Sequence, residues 1–298
     1  GRVIKGEQEI LKRIRVVISE SSVFDYTIFG EHGVKMWGDT FVGSISDDDR
    51  ATIGTNSRSE EVPYAIESTG STTVDADVAI GPGGDTIAAI EASEDIIPLK
   101  DRGVLGKPRD MPKVDLPDWV KTITPIDDYT VKGEENISSI LFETDNGNLI
   151  GYFGSLHILA SGDKLVIDQD CVLVVGYLEV RSKGGIYITP GKNLTIYVTQ
   201  NADIGGNGIV NPDQNSSLLH IYGTDSCESI NYSGDENFYG AIYAREAEIN
   251  CSGSAYIVGS LIGNRVNIGG NPEVRWDPNL SQGGDPAFID LENWREVS

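Results

Sequence analysis

The sequence predicts an all-β protein in which short strands stack as the coils of a parallel β-helix, and three observations lead to that fold class. The 298 residues include 35 Gly but only 2 Met, which favours many short strands with frequent turns over long helices. The apolar runs are short and end at Gly, Asn or Asp. A motif also recurs at an interval near that of one coil, about 20 residues, over which the chain returns beneath its own start.

The repeat is clearest in the C-terminal half. Phe238–Ala244 aligns with Ile257–Gly263 at an offset of about 19 residues, and Ile249 aligns with Ile268 at the same offset. A weaker third copy begins at Phe41–Ile45. These alignments predict coils of about 19 to 20 residues, because stacked coils place equivalent apolar residues above one another. The alternative fold is a β-sandwich, which typically has longer alternating strands.

The order of the segments follows from changes in this pattern. Near the N-terminus the apolar residues follow helical spacing, at Ile10, Leu11, Ile14, Val17 and Ile18. A run rich in Pro later interrupts the strands. The predicted segments are an N-terminal amphipathic α-helix over 1–22, a first β-helical segment over 23–97, a Pro-rich linker or extended crossing over 98–130, the main parallel β-helix over 131–280 and a short C-terminal cap over 281–298.

The charge of the chain restricts its partners. With 23 Lys+Arg and 46 Asp+Glu the net charge is −23, which excludes a general nucleic-acid binder or a basic membrane-surface protein, because polyanions repel both phosphate backbones and anionic lipid headgroups. Residues 2–19 carry five basic and two acidic side chains, so this segment has a charge of +3 and the remainder −26. The opposite charges suit contact between a basic N-terminus and an acidic body of another subunit.

Other features predict an extracellular or cell-surface protein without membrane contact of its own. The chain has no apolar run of the roughly 18 to 20 residues that a membrane-spanning helix needs. It opens at Gly1 instead of Met, so we expect a targeting segment to precede it. Asn-x-Ser/Thr sequons exceed random expectation, as in secreted proteins. The possible N-glycosylation sites are Asn136, Asn193, Asn215, Asn231, Asn250 and Asn279.

The sequence predicts no catalytic site and no cofactor. Cys171, Cys227 and Cys251 lack the spacing of a zinc site, and we expect them to be small buried residues, with one disulfide left open. Calcium is the metal for which the sequence offers candidate ligands, because carboxylates on turns can supply the oxygen atoms that Ca²⁺ prefers. The weak candidates are Asp47, Asp48 and Asp49.

A carbohydrate-active enzyme is the main alternative to a non-enzymatic protein. Glycosidases use two carboxylates facing each other across a groove, and the available carboxylates are Asp47–Asp49, Asp127, Asp128, Asp163, Asp168 and Asp170. Adjacent aspartates are usually solvated turn residues, since like charges repel. Eight tyrosines in the C-terminal half offer a sugar-stacking face, or simply reflect strand propensity. They are Tyr177, Tyr187, Tyr197, Tyr222, Tyr232, Tyr239, Tyr243 and Tyr256.

An ordered set of blocks resembles PilX-type, minor-pilin-like surface proteins associated with type IV pilus assembly, which carry a β-helical C-terminal domain. The blocks are Phe24–Gly30, Ile53–Asn56, Asp77–Asp85, Phe238–Ala244, Gly259–Gly263, Val266–Asn271, Trp276–Asp277 and Trp294–Glu296. The resemblance implies surface display, filament assembly or adhesion, and brings no catalytic residues. It also implies an N-terminal pilin-like stem, of which residues 2–19 resemble the downstream part.

The sequence as a whole therefore predicts a non-enzymatic extracellular structural or adhesive protein, pilus-associated or filament-forming, that acts through its β-helix surface. We expect its partners to be other copies of the chain, pilus subunits, or a polysaccharide or cell surface. The alternative is a carbohydrate-active β-helix enzyme, a polysaccharide lyase or glycoside hydrolase, or a polysaccharide-binding module.

Overall fold

The computed structural model describes residues 2–5, 8–11, 22–143 and 148–281, and over these residues the protein is all-β. The helices in the described part are short 3-10 helices, and none is long or apolar enough to cross a bilayer. They are Leu99–Asp101, Asp118–Lys121, Ile137–Ser139, Ser216–Leu218 and Pro278–Ser281.

The N-terminal α-helix predicted over 1–22 is wrong where the structure describes that segment. Strand β1 (Arg2–Lys5) pairs antiparallel with β2 (Gln8–Leu11), and the two form a sheet separate from all other strands described. The β-branched residues of Arg2–Lys5 favour an extended backbone. Most of the helical spacing came from residues beyond Leu11, which lie outside the described residues up to position 21.

Between residues 28 and 104 the chain forms short strands that pair in parallel with one another. We call this region the N-terminal stack. Its strands are β3 (Ile28–Gly30), β4 (Val34–Met36), β5 (Phe41–Ser44), β6 (Ala51–Thr55), β7 (Ile66–Ser68), β8 (Thr73–Val74), β9 (Ala76–Ile80), β10 (Ile90–Glu91) and β11 (Arg102–Val104).

Residues 126–276 form both long and short strands, again paired in parallel except for β14, which runs antiparallel to β15. We call this region the C-terminal stack. Its strands are β12 (Ile126–Thr130), β13 (Glu134–Asn136), β14 (Phe142–Glu143), β15 (Leu149–Ile158), β16 (Lys164–Ile167), β17 (Cys171–Val180), β18 (Gly185–Ile188), β19 (Leu194–Ile204), β20 (Gly208–Val210), β21 (Leu219–Gly223), β22 (Ser229–Tyr232), β23 (Phe238–Cys251), β24 (Tyr256–Ile268) and β25 (Glu273–Trp276).

The N-terminal stack continues the C-terminal stack in space, although it precedes it in sequence. Strand β24 pairs in parallel with β3 and β4, and β25 pairs in parallel with β5. The order of pairing therefore runs from β12 through β25 and then from β3 to β11. The two ends of this order are β12, which pairs with β15, and β11, which pairs with β9.

A second, four-stranded parallel sheet, β13–β16–β18–β20, completes the C-terminal stack. One continuous buried cluster combines apolar residues of this sheet, such as Leu165, Ile186 and Ile209, with residues of the larger sheet, such as Leu173 and Ile196. The same cluster extends through the N-terminal stack. Each strand is thus stabilised by burying its inward side chains against those above and below.

The repeat that the sequence shows between β23 and β24 is confirmed only for part of its length. Phe238–Ala244 pairs with Ile257–Gly263 residue for residue, but the register shifts between Ala244 and Glu248. Ile249 consequently pairs with Val266 and not with Ile268. The shift lets β23 contain more residues than β24 between the same neighbours, as a β-bulge does.

Many of the other paired strands lie further apart in sequence than the repeat predicts. Leu149 pairs with Cys171, and Val34 pairs with Ile66. In both pairs the partners are separated in sequence by more residues than the repeat predicts, and the separation is larger for Val34 and Ile66. Surface turns of different length absorb the difference, because only the strands need to stay in register. The alignment of the third repeat copy places Phe41 opposite Ile257. In the structure Ile257 pairs with Val274, and Val274 pairs with Val42, so this alignment is wrong by one residue.

The chain passes from one end of the pairing order to the other through residues 105–125, here called the crossing segment. The predicted linker over 98–130 contains this segment together with β11, β12 and two of the 3-10 helices. Met111 and Val114 are buried in a second apolar cluster with Tyr197, Tyr222 and Tyr243. The crossing segment therefore packs along the outer face of the strands that it bypasses. The predicted C-terminal cap lies outside the described residues beyond Ser281.

Candidate functional site

A row of polar residues follows the direction of stacking through both stacks. We call it the polar row. Each member is the parallel register partner of the next, so neighbouring side chains are separated by one strand spacing, about 4.8 Å. In order the members are His157, Glu179, Asp203, Asn231, Asn250, Asn267, Lys35 and Glu67.

The period of the strands places the polar row on the outside. On either side of Asp203 the chain buries Ala202 and Ile204, and on either side of Asn250 it buries Ile249 and Cys251. Successive side chains of a strand point to opposite faces. The polar residues between these core positions must therefore face away from the core.

Three asparagines of the row form a chain of hydrogen bonds with one direction. Asn267 Nδ2 donates to Asn250 Oδ1 at 2.8 Å, and Asn250 Nδ2 donates to Asn231 Oδ1 at 2.9 Å. Asn231 Nδ2 donates in turn to Asp203 Oδ1 at 2.7 Å. Hydrogen bonds in such a chain polarise one another. The bond to the Asp203 carboxylate is charge-assisted and is therefore the strongest of the three.

The two carboxylates of this part of the row use all four of their oxygens. Asp203 Oδ2 accepts a hydrogen bond from the Tyr177 hydroxyl at 2.7 Å, in addition to the bond from Asn231. Glu179 Oε2 lies 2.9 Å from His157 Nδ1, and its Oε1 forms an ion pair with Arg181. These partners hold both carboxylates in fixed positions.

Tyr177 shows the electrostatic effect of this arrangement. Burial, followed by the hydrogen bond to the Asp203 carboxylate, raises the pKa of Tyr177 to about 12. The phenol stays protonated as a donor because an anion beside Asp203 would be repelled. The Tyr177 ring also meets His157 edge to face, with centroids 5.9 Å apart. The cluster is therefore rigid as well as polar.

A shallow cavity of about 430 Å³ lies beside the row where three turns stack. Its lining includes Arg181, Ser182, Asp203, Asn231 and Ser233. Ser182 adopts a left-handed backbone with φ of 55°, which is uncommon for a residue other than Gly. The cavity is open and is lined by both polar and apolar atoms, so a ligand there would remain partly in solvent.

The row continues across the junction between the stacks as an ion pair. Lys35 is the register partner of Asn267, and its Nζ lies 2.8 Å from Glu67 Oε2. Glu67 Oε1 also accepts a hydrogen bond from the backbone N–H of Tyr64 at 3.1 Å. The amide chain of the C-terminal stack is thus followed by a charged pair in the N-terminal stack.

The weak calcium candidates are not joined by further ligands. Asp47, Asp48 and Asp49 are exposed on one turn, where the backbone N–H of Asp48 donates to Ser46 Oγ. Within the residues that the structure describes, no group of three or more His, Cys, Asp or Glu side chains is arranged to hold a metal ion.

The other carboxylates considered from the sequence bind backbone or side-chain donors of neighbouring turns. Asp163 accepts from the N–H groups of Gly133 and Ala160, and these bonds lower its pKa. Asp168 accepts from Ser138, and Asp170 accepts from the N–H of Asn193 at 3.0 Å. They fasten one turn to the next, and none of them faces the polar row. Asp127 and Asp128 are exposed on β12.

The possible glycosylation sites divide into two groups. Asn136, Asn193, Asn215 and Asn279 are exposed. Asn231 and Asn250 are half-buried members of the polar row, and both use their amide nitrogens in it. A glycan on either would disturb that chain of bonds.

All three cysteines are free and buried, as expected for small apolar residues. Burial raises the pKa of Cys227 and of Cys251 to about 12, so neither is a ready nucleophile. The disulfide that the sequence left open is not formed.

The tyrosines do not form one sugar-binding face. Tyr197, Tyr222 and Tyr243 are consecutive register partners, but the crossing segment covers them. The Tyr243 hydroxyl donates to the carbonyl of Pro112 at 2.6 Å. Tyr232 is in the core, whereas Tyr177 is the one that joins the polar row.

Sequence reasoning missed the polar row because its members are far apart in sequence. Neither His157 nor Glu179 stands in a motif, and the register that aligns them with Asn231 depends on turns of unequal length. The one available signal was the pair of sequons at Asn231 and Asn250, each with an apolar residue on both sides. Isolated polar residues at alternate strand positions mark an outward face.

The fold and the row define a class of all-β proteins with parallel strands stacked in register and a long polar outer surface. The chain belongs to the family described as "Domain of unknown function (DUF7305)", whose model matches residues 126–283, just over half of the chain. The match begins at the first residue of β12 and covers the whole C-terminal stack. No curated protein and no solved structure matches the chain significantly.

Proposed function

We propose that the two stacks form a single parallel β-helix, and that this β-helix is a non-enzymatic structural or adhesive element at the cell surface. The continuous parallel pairing from β12 to β25 and on to β11 supports the β-helix. The common buried cluster supports it further, because stacked coils share one core.

The observation that carries the functional part is the state of Glu179 and Asp203. Their four oxygens are engaged by His157, Arg181, Tyr177 and Asn231. A general acid or nucleophile needs an oxygen that can reach a substrate, whereas a carboxylate with a partner on each of its two oxygens fixes its neighbours in position. The polar row is therefore best suited to hold a rigid surface for contact with a partner.

Surface location and pilus association rest on features of the sequence. The charge of −23 keeps a long β surface soluble, and the exposed sequons Asn193 and Asn215 are compatible with secretion. The resemblance to PilX-type proteins supports assembly with pilus subunits or with further copies. The proposed partners are therefore protein subunits or a cell-surface polysaccharide, and the proposal needs no cofactor.

Electron microscopy of the native material tests this function together with an assay of polysaccharide turnover. We expect filaments or surface-attached particles that react with an antibody to the chain. Acidic and neutral polysaccharides should release no reducing ends or unsaturated sugars above a heat-denatured control. Turnover that is lost in Glu179→Gln would contradict the non-enzymatic function.

The second candidate is a carbohydrate-active or polysaccharide-binding β-helix. The observation that favours it is that Arg181 and Asp203 line one open cavity, with Glu179 and His157 next in the polar row. Acid, base and cation together suit acidic sugars. Binding of oligogalacturonate, measured by calorimetry for the wild type and for Arg181→Ala, separates the two. Binding without turnover would favour a polysaccharide-binding module.

A further inference from the structure

The last strands of the N-terminal stack leave a β-edge open. Strand β10 pairs with β7, and β11 pairs with β9. Among the described residues the register pairings give β10 and β11 no partner on their opposite sides. We call residues 85–104 the distal edge. An open edge presents unpaired backbone groups that can accept a further strand.

Apolar side chains are concentrated at this edge. Ile87, Leu99 and Val104 are 72, 46 and 43% exposed, and they account for three of the seven large apolar residues that are exposed in the described part of the chain. Single exposed apolar residues are ordinary, but several beside one open edge indicate a contact surface.

A groove of about 480 Å³ lies at the same place, between Ile87, Ile90, Leu99 and Ser68. Ser68 is only 3% exposed, and its hydroxyl has no hydrogen-bond partner. Buried hydroxyl groups in folded proteins normally have one. The unsatisfied hydroxyl in the groove is what a missing polar neighbour would leave.

The charge of the distal edge limits what can bind there. Residues 85–104 contain five acidic and two basic side chains, a net charge of 2 − 5 = −3. One of the basic groups, Arg102, is already bound to the carbonyls of Ala92 and Ile97. The complementary partner is an extended segment that is apolar and basic.

The chain contains such a segment at its own N-terminus. Residues 2–19 are rich in Val, Ile and Leu and carry a charge of +3. Within them β1 and β2 pair only with each other, and an isolated two-stranded hairpin is marginally stable in water. Among the described residues, β1 and β2 have no third strand beside them, and β10 has no strand on its opposite side.

We propose that the distal edge of one copy of the chain binds residues 2–19 of a second copy, with one strand of the β1–β2 hairpin added to the edge of β10 beside the groove. Among the described residues β1 and β2 form a sheet apart from the larger one, and the proposal assigns the hairpin to a second copy because the charges of the two surfaces are opposite. Because donor and acceptor surfaces differ, the contact is head-to-tail and does not close as a dimer would. The proposal rests on the filament-forming variant of the proposed function and names its interface.

Sedimentation velocity of the full chain over a wide concentration range tests this contact. We expect concentration-dependent association that high salt weakens, because the interface joins opposite charges. Ile87→Arg with Leu99→Arg should weaken association at least tenfold. Leu159→Arg, which changes an exposed apolar residue of the C-terminal stack, is the matched control and should associate as the wild type does.

The N-terminal segment is tested separately. Deletion of residues 1–21 should abolish association, and a peptide of residues 1–19 should compete with it in the wild type. A full chain that stays monomeric, or association that survives the deletion, overturns the proposal. A concentration-independent stabilisation lost on deletion would instead place the hairpin on its own chain, and also overturns it. Polysaccharide turnover would contradict the proposed function and leave this interface standing.

Discussion

The two stacks share one register and one core, but only the C-terminal stack contains long strands beside its short ones. Strands β15, β17, β19, β23 and β24 contain 10 to 14 residues, whereas the strands of the N-terminal stack contain two to five. Short strands bury too little apolar surface to form on their own. The N-terminal stack therefore depends on β24 and β25 as a template.

The family match follows the same boundary, since it covers the C-terminal stack and excludes residues 1–125. The C-terminal stack also carries the hydrogen-bonded part of the polar row, from His157 to Asn267. The N-terminal stack adds the distal edge and is held by the crossing segment. We infer that the first region is the framework and that the second extends it.

The largest expected effects come from the core. Phe153 and Ile53 are both fully buried, and their replacement by Ala should cost about 3 to 5 and about 2 to 5 kcal/mol respectively. If the framework supports the extension, Phe153→Ala lowers the protection from hydrogen exchange in both stacks. Ile53→Ala lowers it only in the N-terminal stack. Equal loss of protection in β17 and β19 with Ile53→Ala would mean that the stacks unfold as one unit.

The crossing segment offers the next test, through Arg109. Its Nη2 donates to the carbonyls of Ser22 at 3.1 Å and Val23 at 2.6 Å, and its guanidinium lies 4.6 Å from the Tyr26 ring centroid. Arg109→Met should reduce the free energy of unfolding by about 2 to 3 kcal/mol, since hydrogen bonds to charged groups are the stronger ones.

Urea denaturation measures this loss, with Lys107→Met as the control. Lys107 is exposed on the same segment, so its replacement should change stability by less than about 0.5 kcal/mol. Similar losses for both variants would show that the segment is not fastened through Arg109.

The polar row compares the two regions directly, because it changes from amides to an ion pair at their junction. Asn250→Ala removes a donor and an acceptor and leaves Asn231 and Asn267 without their partner, at a cost of about 1 to 3 kcal/mol. Lys35→Met removes an ion pair and leaves the Glu67 carboxylate, whose side chain is 11% exposed, with the Tyr64 N–H as a donor, at a cost of about 1 to 2 kcal/mol. Thermal unfolding of both variants measures the difference. A larger loss for Lys35→Met would place the stronger part of the row in the N-terminal stack.

The parts of this architecture that depend on local sequence patterns could be predicted from the sequence. The parts that depend on which distant strands become neighbours could not. Short apolar runs and the repeat around Phe238 and Ile257 predicted parallel stacking, because their periodicity is local. The pairing of Leu261 with Ile28 carries no such signal, since the partners lie near opposite ends of the sequence and share only apolar character. The polar row was missed for the same reason, and the helical pattern misled where β-branched residues permit either conformation.

The smallest expected effect is a pH dependence confined to the C-terminal stack. The pKa values of Tyr129 and Tyr177 are raised to about 12 by burial and by hydrogen bonds to Glu135 and Asp203, above the ordinary value of about 10. A raised pKa means that the unfolded chain loses its phenol proton first. The stability from these groups is complete below about pH 10 and is lost as the pH rises towards 12. In urea unfolding at pH 8 and pH 11, Tyr129→Phe with Tyr177→Phe should therefore lose less stability between the two values than the wild type. An unchanged loss would assign the alkaline sensitivity to other tyrosines, such as those covered by the crossing segment.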